Sequence, residues 1–104
     1  MIEVVNRHTW KPDGRVNFYI GRGTPLGNRE HLKNEADRDA NLARYEIWLR
    51  AKWHTDAAVK NELLRLARFA KTSDVVLICS CKPRRCHGDF IKHALEQLIR
   101  KGVV

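Results

Sequence analysis

The chain has 104 residues, with 20 Lys and Arg against 12 Asp and Glu and a formal charge of +8. That length holds one modest hydrophobic core and leaves no room for a second, so a single domain over 1–104 is expected. With 43% hydrophobic and 31% charged residues the composition is neither that of a disordered chain nor that of a membrane protein, and no apolar run approaches the roughly 20 residues that span a bilayer.

A positive balance of this size favours polyanions: nucleotides, nucleic acid or an acidic protein. Residues 1–8 (MIEVVNRH) lack the charged-then-apolar pattern of a secretory signal. A cytoplasmic location with no membrane partner is the expectation. The three cysteines are an odd number in a chain without that signal, which argues against a disulfide framework.

Taken in order, residues 2–5 (IEVV) predict a short strand. Lys11, Pro12, Asp13 and Gly14 form a turn signature, and residues 16–20 (VNFYI) predict a second strand rich in β-branched and aromatic residues. Strand, turn and strand read as an antiparallel hairpin. The second strand runs into Gly21, Arg22, Gly23, Thr24, Pro25, Leu26, Gly27 and Asn28. The three glycines permit positive φ and close backbone approach; such loops present N–H groups to anions, and Arg22 adds a forked cation. The spacing is neither a Walker A loop nor G-x-G-x-x-G, and a purely structural turn is the competing reading.

Residues 29–36 are polar without a period. From 37 to 53 a helix is predicted on the recurrence of Ala40, Ala43, Ile47 and Ala51, flanked by Leu42, Tyr45, Leu49 and Trp53. Thr55 or Asp56 caps a second helix, whose apolar positions are Val59, Leu63, Leu66, Ala67 and Ala70. Trp48 and Trp53 are expected in helix packing. The run Val75, Val76, Leu77, Ile78 predicts a strand buried on both faces. After it, Phe90, Ile91, Ala94, Leu95, Leu98 and Ile99 mark a last amphipathic helix stopped by Gly102, while Val103 and Val104 hint at an extra edge strand. The architecture expected is α/β: a small mixed sheet, made of the N-terminal hairpin and a buried parallel strand, with about three packed helices.

Between that strand and that helix lie Cys79, Cys81, Pro83, Arg84, Arg85, Cys86, His87, Gly88 and Asp89. Ligands of open α/β sheets collect beyond the carboxyl ends of strands, beside helix N-termini, so this is where a site is expected. Several chemistries fit. Cys79, Cys81, Cys86 and His87 could ligate zinc, although neighbours such as Cys86 and His87 do not readily aim at one metal. Cys86 at a helix N-terminus could be a nucleophile, with His87 or Asp89 as acid or base. Alternatively the helix start, with Gly88 leaving the backbone open, cradles a phosphate, or the segment is structural only.

Tyr19, Ile20, Gly21, Arg22 and Gly23, then Pro25, Leu26, Gly27 and Asn28, then Tyr45, Trp48 and Leu49, then Cys79-x-Cys81-x-Pro83-x-x-Cys86-His87-Gly88-Asp89 together resemble the domain of unknown function family 4326, frequent in bacteriophage and bacterial genomes. The resemblance covers about residues 2–100. Arg29 and Glu30 stand where that family usually has Pro-Phe. A second uncharacterised Rossmann-like family shares the Pro-x-x-Cys-His segment but follows it with arginine, where this chain has Gly88. The resemblance implies a Rossmann-like domain in which the glycine loop and the Cys-His loop meet at one pocket, with no assigned activity, in host cytoplasm if phage-encoded.

The expectation is therefore a nucleotide or nucleic-acid phosphate held by Gly21, Arg22, Gly23, Pro25, Gly27, Asn28 and Gly88. Cys86, His87 and Asp89 stand at the reacting end of a nucleotide-derivative transferase or hydrolase. The alternative is a non-catalytic module that uses the basic faces of the 37–70 helices to bind nucleic acid or a host protein, with a structural or zinc-bound Cys-His segment.

Overall fold

The apolar run predicted to be buried on both faces is the central strand of the molecule. A computed structural model describes residues 1–30 and 32–104, so position 31 of the polar stretch 29–36 lies outside it. Its strands are β1 (Ile2–Asn6), β2 (Val16–Tyr19) and β3 (Val75–Cys79); its α-helices are α1 (Arg38–Thr55), α2 (Ala57–Thr72) and α3 (His87–Arg100), and a single 3-10 turn, Glu35–Asp37, leads into α1. The class is α/β, as the pattern of elements predicts.

The sheet differs from the expectation in one respect. Its order is β1-β3-β2 and both pairings are parallel. Val4 and Phe18 stand opposite Leu77 from either side. The N-terminal strands form no hairpin, and the sheet is parallel rather than mixed. Val75, Val76 and Leu77 are fully buried, so the backbone groups on both edges of β3 need protein partners, and each N-terminal strand supplies one edge. The turn signature still forms a bend, with Gly14 at φ 91°. Asp13 there accepts from the backbone N–H of Arg15 at 3.2 Å, and the Arg15 guanidinium reaches Glu3 at 2.7 Å. Residues 7–15 thus return to the start of the sheet and launch β2 in the same direction as β1, a link shorter than the dozen or more residues that parallel connections generally need.

The helices follow their patterns unevenly. In α2 the five predicted positions, Val59, Leu63, Leu66, Ala67 and Ala70, are all buried, and Asp56 caps the helix by accepting from the N–H groups of Ala58 and Val59. In α1 the buried stripe is Leu42, Tyr45 and Leu49, with Asn41 beside it. Ile47, placed on the apolar stripe by periodicity, is 69% exposed. The stripe turns because the larger side chains bury more area and because the Tyr45 hydroxyl donates to the buried Leu26 carbonyl at 2.6 Å. Trp48 and Trp53 pack against the core, half-buried, as expected.

Helix α3 ends in a Schellman turn: Gly102 at φ 72° donates to Ile99, and Val103 donates to Leu98. Lys71 donates to the Val104 carbonyl. The chain end is therefore folded back against α2 and α3, and among the described residues Val103 and Val104 form no edge strand. No helix is long and apolar enough to cross a membrane among the described residues.

Candidate functional site

At the carboxyl end of the sheet the glycine loop is shaped by hydrogen bonds of its own. Ile20 N–H continues the β2–β3 ladder by donating to Ile78. The Gly21 carbonyl then accepts from both the N–H (3.2 Å) and the hydroxyl (2.8 Å) of Thr24, and Gly27 N–H donates to Thr24. Gly27 lies directly on the Gly21 carbonyl, with Arg22 Cα 3.1 Å from where a Cβ would stand, so the loop doubles back at a spacing only glycine permits. Leu26 anchors it from below, buried at its centre. Asn28 leads out toward α1: its amide donates to Asn41 Oδ1 at 2.8 Å, and its Oδ1 accepts from Glu30 N–H.

The second loop, residues 80–86, carries a cis Lys82–Pro83 bond and is tied to β1 through Asn6, whose amide donates to the Lys82 carbonyl at 2.5 Å. Cys86 is the N-cap of α3. Its Sγ accepts from the N3 backbone, and Asp89 Oδ2 accepts from Cys86 N–H at 3.2 Å, a capping box with sulfur in the place of a hydroxyl. The other oxygen of Asp89 pairs with Lys82 at 2.5 Å. Gly88 lets the helix press on the sheet: a Cβ there would stand 2.8 Å from Val4 Cγ1 and 2.9 Å from Ile20 Cδ1.

Cys79 and Cys86 are both buried, with their sulfurs 3.3 Å apart. The Cys86 thiol donates to Cys79 and draws it down to about 6, against the desolvation of its site; backbone N–H groups of Cys81 and Lys82 help. The Cys86 thiol is pushed up, first by that same bond and then by burial. The shared bond thus moves the two thiols in opposite directions, Cys79 down and Cys86 up.

His87 crosses to the other loop. Its Nε2 lies 2.7 Å from the Ile20 carbonyl; since a carbonyl only accepts, Nε2 carries the proton and Nδ1 is the basic nitrogen of the neutral ring. The ring stands edge-on to Tyr45, with centroids 5.2 Å apart. Burial raises the Tyr45 hydroxyl, which keeps it neutral.

Between the two loops opens a cleft of about 300 Å³. Gly21, Arg22, Asn28, Cys81, Cys86 and His87 line it, so the sequence expectation that both loops share a pocket is met in position. Gly23, Pro25 and Gly27 instead line an adjoining cavity of about 490 Å³, which Arg22 and Asn28 also border. Gly88 and Asp89 do not line the cleft: one packs helix on sheet and the other caps and pairs. The four zinc candidates are divided. Cys79 and Cys86 face each other, His87 Nε2 is engaged by Ile20, and Cys81 lies with Arg38 in the lining of the cleft. No group of three or more His, Cys, Asp or Glu among the described residues could hold a metal ion.

Several cleft residues were missed from sequence. Arg7, Tyr19, Arg38 and Asn41 also line it. Arg7 follows the end of β1 and lies over the Tyr19 ring, 5.5 Å from its centroid; the strand-end rule could have found it. Asn41 is a polar residue on the buried face of α1, 5% exposed. Arg38 is held in place by Glu35 and by the Arg85 carbonyl at 2.8 Å, and that pairing raises its affinity for the proton.

The chain matches the family described as Domain of unknown function (DUF4326) over residues 4–97, and it belongs to that family. It is also similar to a phage protein, the uncharacterized 12.4 kDa protein in the nrdA-td intergenic region of Enterobacteria phage T4. The two are 30% identical over 100 residues, covering 96% of this chain and 82% of the phage protein. No solved structure matches the chain.

Proposed function

We propose that this family member binds the phosphate of a nucleotide in the cleft between its glycine loop and its Cys-His loop. The observation that carries the reading is the state of the cations there. Arg15, Arg38, Arg44, Arg50, Arg65, Lys82, Arg84 and Arg85 each have a carboxylate partner. Arg7 and Arg22 have none among the described residues, and both face the cleft. Two uncompensated guanidiniums from separate segments, beside a Gly21–Asn28 backbone folded into tight turns, suit an anion with several acceptor oxygens. Arg38 also lines the cleft, where its charge is taken up by Glu35.

In this reading Arg22 and Arg7 hold phosphate and Asn28, fixed by Asn41, orients the ligand. His87 stands at the reacting end with Nδ1 as its basic nitrogen. Transfer or hydrolysis on a nucleotide derivative would draw its proton acceptor from His87 rather than from Asp89, which is committed to the cap and to Lys82. The alternative, a nucleic-acid or host-protein contact over the basic faces of the 37–70 helices, is less well supported. Arg38, Arg44, Arg50 and Arg65 on those helices are paired with nearby Glu residues, which leaves Lys52, Lys60 and Arg68 as the cations of that stretch without a carboxylate partner among the described residues.

Titration calorimetry with nucleosides and with the matching mono-, di- and triphosphates tests the reading. Binding that requires phosphate and is weakened by Arg22→Ala supports it. Equal binding of nucleoside and nucleotide, or no binding of either at low salt, overturns it.

A further inference from the structure

The cleft does not end at Arg22. Arg22 and Asn28 also border the cavity of about 490 Å³ on the far side of the glycine loop, and Asn28 and Arg29 carry that cavity on to a third hollow of about 110 Å³ lined by Trp48. The cleft alone, at about 300 Å³, is at the lower end of the range that accepts one small ligand; the groove continuing from it is larger than the cleft itself.

At each end of this path a guanidinium lies over an aromatic ring. Arg7 covers Tyr19, which is 39% exposed, and Arg29 covers half-buried Trp48 at 5.6 Å. Arg22 stands between them. None of the three arginines has a carboxylate partner among the described residues, and the acids along the path are otherwise engaged. Glu30 is paired with Arg44, and Asp56 caps α2. A row of free guanidiniums alternating with aromatic faces is the chemistry that holds single-stranded nucleic acid, with phosphates on the cations and bases on the stacking surfaces.

Resting on the phosphate reading above, we infer that the ligand is a single-stranded oligonucleotide. One phosphate sits in the cleft, and the strand crosses the glycine loop past Arg22 to stack its next bases on the Arg29–Trp48 pair. A duplex does not fit this arrangement, because its bases are already stacked and its aromatic contacts withheld.

Competition titrations with oligothymidylates and oligouridylates of increasing length, alongside dTMP, UMP and a duplex, test the proposal. Affinity should rise with length and level off at about four nucleotides. Arg29→Ala, an exposed position, should reduce oligonucleotide affinity about tenfold while leaving mononucleotide affinity unchanged; Trp48→Leu should do the same. Similar affinity for the two oligonucleotide series supports a backbone-and-stacking track, and preference for oligouridylate supports it as an RNA track. An oligonucleotide that binds no tighter than its mononucleotide overturns the track and leaves the phosphate cleft standing. So does an equal loss of both ligands on Arg29→Ala, or equal binding of duplex. Failure of every nucleotide to bind overturns both readings.

Discussion

His87 donates its Nε2–H to the carbonyl of Ile20, 67 positions earlier in the chain and 2.7 Å away. This bond joins the start of α3 to the start of the glycine loop and fixes the width of the cleft between them. His87→Ala leaves the Ile20 carbonyl without its donor and should lower stability by about 1–3 kcal/mol, read by urea denaturation. It should also weaken nucleotide binding. His87→Gln, whose amide can donate in the same direction, should recover more of the stability than of any proton-transfer activity.

Arg22 should separate binding from stability. Arg22 is exposed and has no ion pair among the described residues, so Arg22→Ala should move the unfolding midpoint by no more than the equivalent of about 0.5 kcal/mol. Nucleotide affinity should fall about tenfold, and for an oligonucleotide the dependence of log affinity on log salt should become shallower by about 0.7 for the lost phosphate contact. An unchanged salt slope would show that Arg22 touches no phosphate.

Gly88→Ala tests the account of α3 packing. The added methyl meets Val4 and Ile20 at under 3 Å, and both belong to the interior against which the helix lies. A cost of about 1–3 kcal/mol is expected from this overpacking, measured as a lower denaturation midpoint. Wild-type stability in the variant would mean that helix and sheet are further apart than described.

The thiol pair sets a pH dependence whose sign follows from its two halves. Cys79 is drawn down from the ordinary thiol value of 9.0 to about 6, so its contribution to stability is present above 9 and is lost as pH falls through 6. Cys86 is raised, so its contribution is present below 9 and is lost at higher pH. Stability should climb between about pH 6 and 9 and decline beyond. Thiolate absorbance in the folded protein should show one cysteine ionising near 6, and Cys86→Ala, by removing the donor, should move that step upward.

Tyr45→Phe removes the hydroxyl that satisfies the buried Leu26 carbonyl. With the ring retained, the expected loss is about 1–2 kcal/mol. Because Leu26 anchors the glycine loop, hydrogen exchange should quicken at Gly27 and Asn28 more than in α2.

Where a single physical rule governs a segment, the sequence was enough. The stripe of α2 is one such case, because every large apolar residue on it is needed by the core. The turn at residues 11–14 misled because a turn signature specifies a bend and not the partner of the strand that follows. The demand of β3 for neighbours on both edges decided that, and it arises sixty residues later. In α1, counting apolar residues equally gave weight to alanines, whereas burial follows area. At the site, the family resemblance put the glycine loop and the Cys-His loop at one pocket, and Arg22 and His87 both line one cleft. The division of labour among Cys79, Cys86, Gly88 and Asp89 depends on contacts of a few ångströms with Lys82, Val4 and Ile20, which no spacing encodes.

The placement of β3 between β1 and β2 also bears on how the chain is made. Both outer strands leave the ribosome before the strand that each pairs with, and in the folded protein they do not pair with each other. A growing chain halted before Val75 would lack the central strand of its sheet. Its exposed apolar segments would then rely on chaperones until the final third emerged and closed the structure in one step.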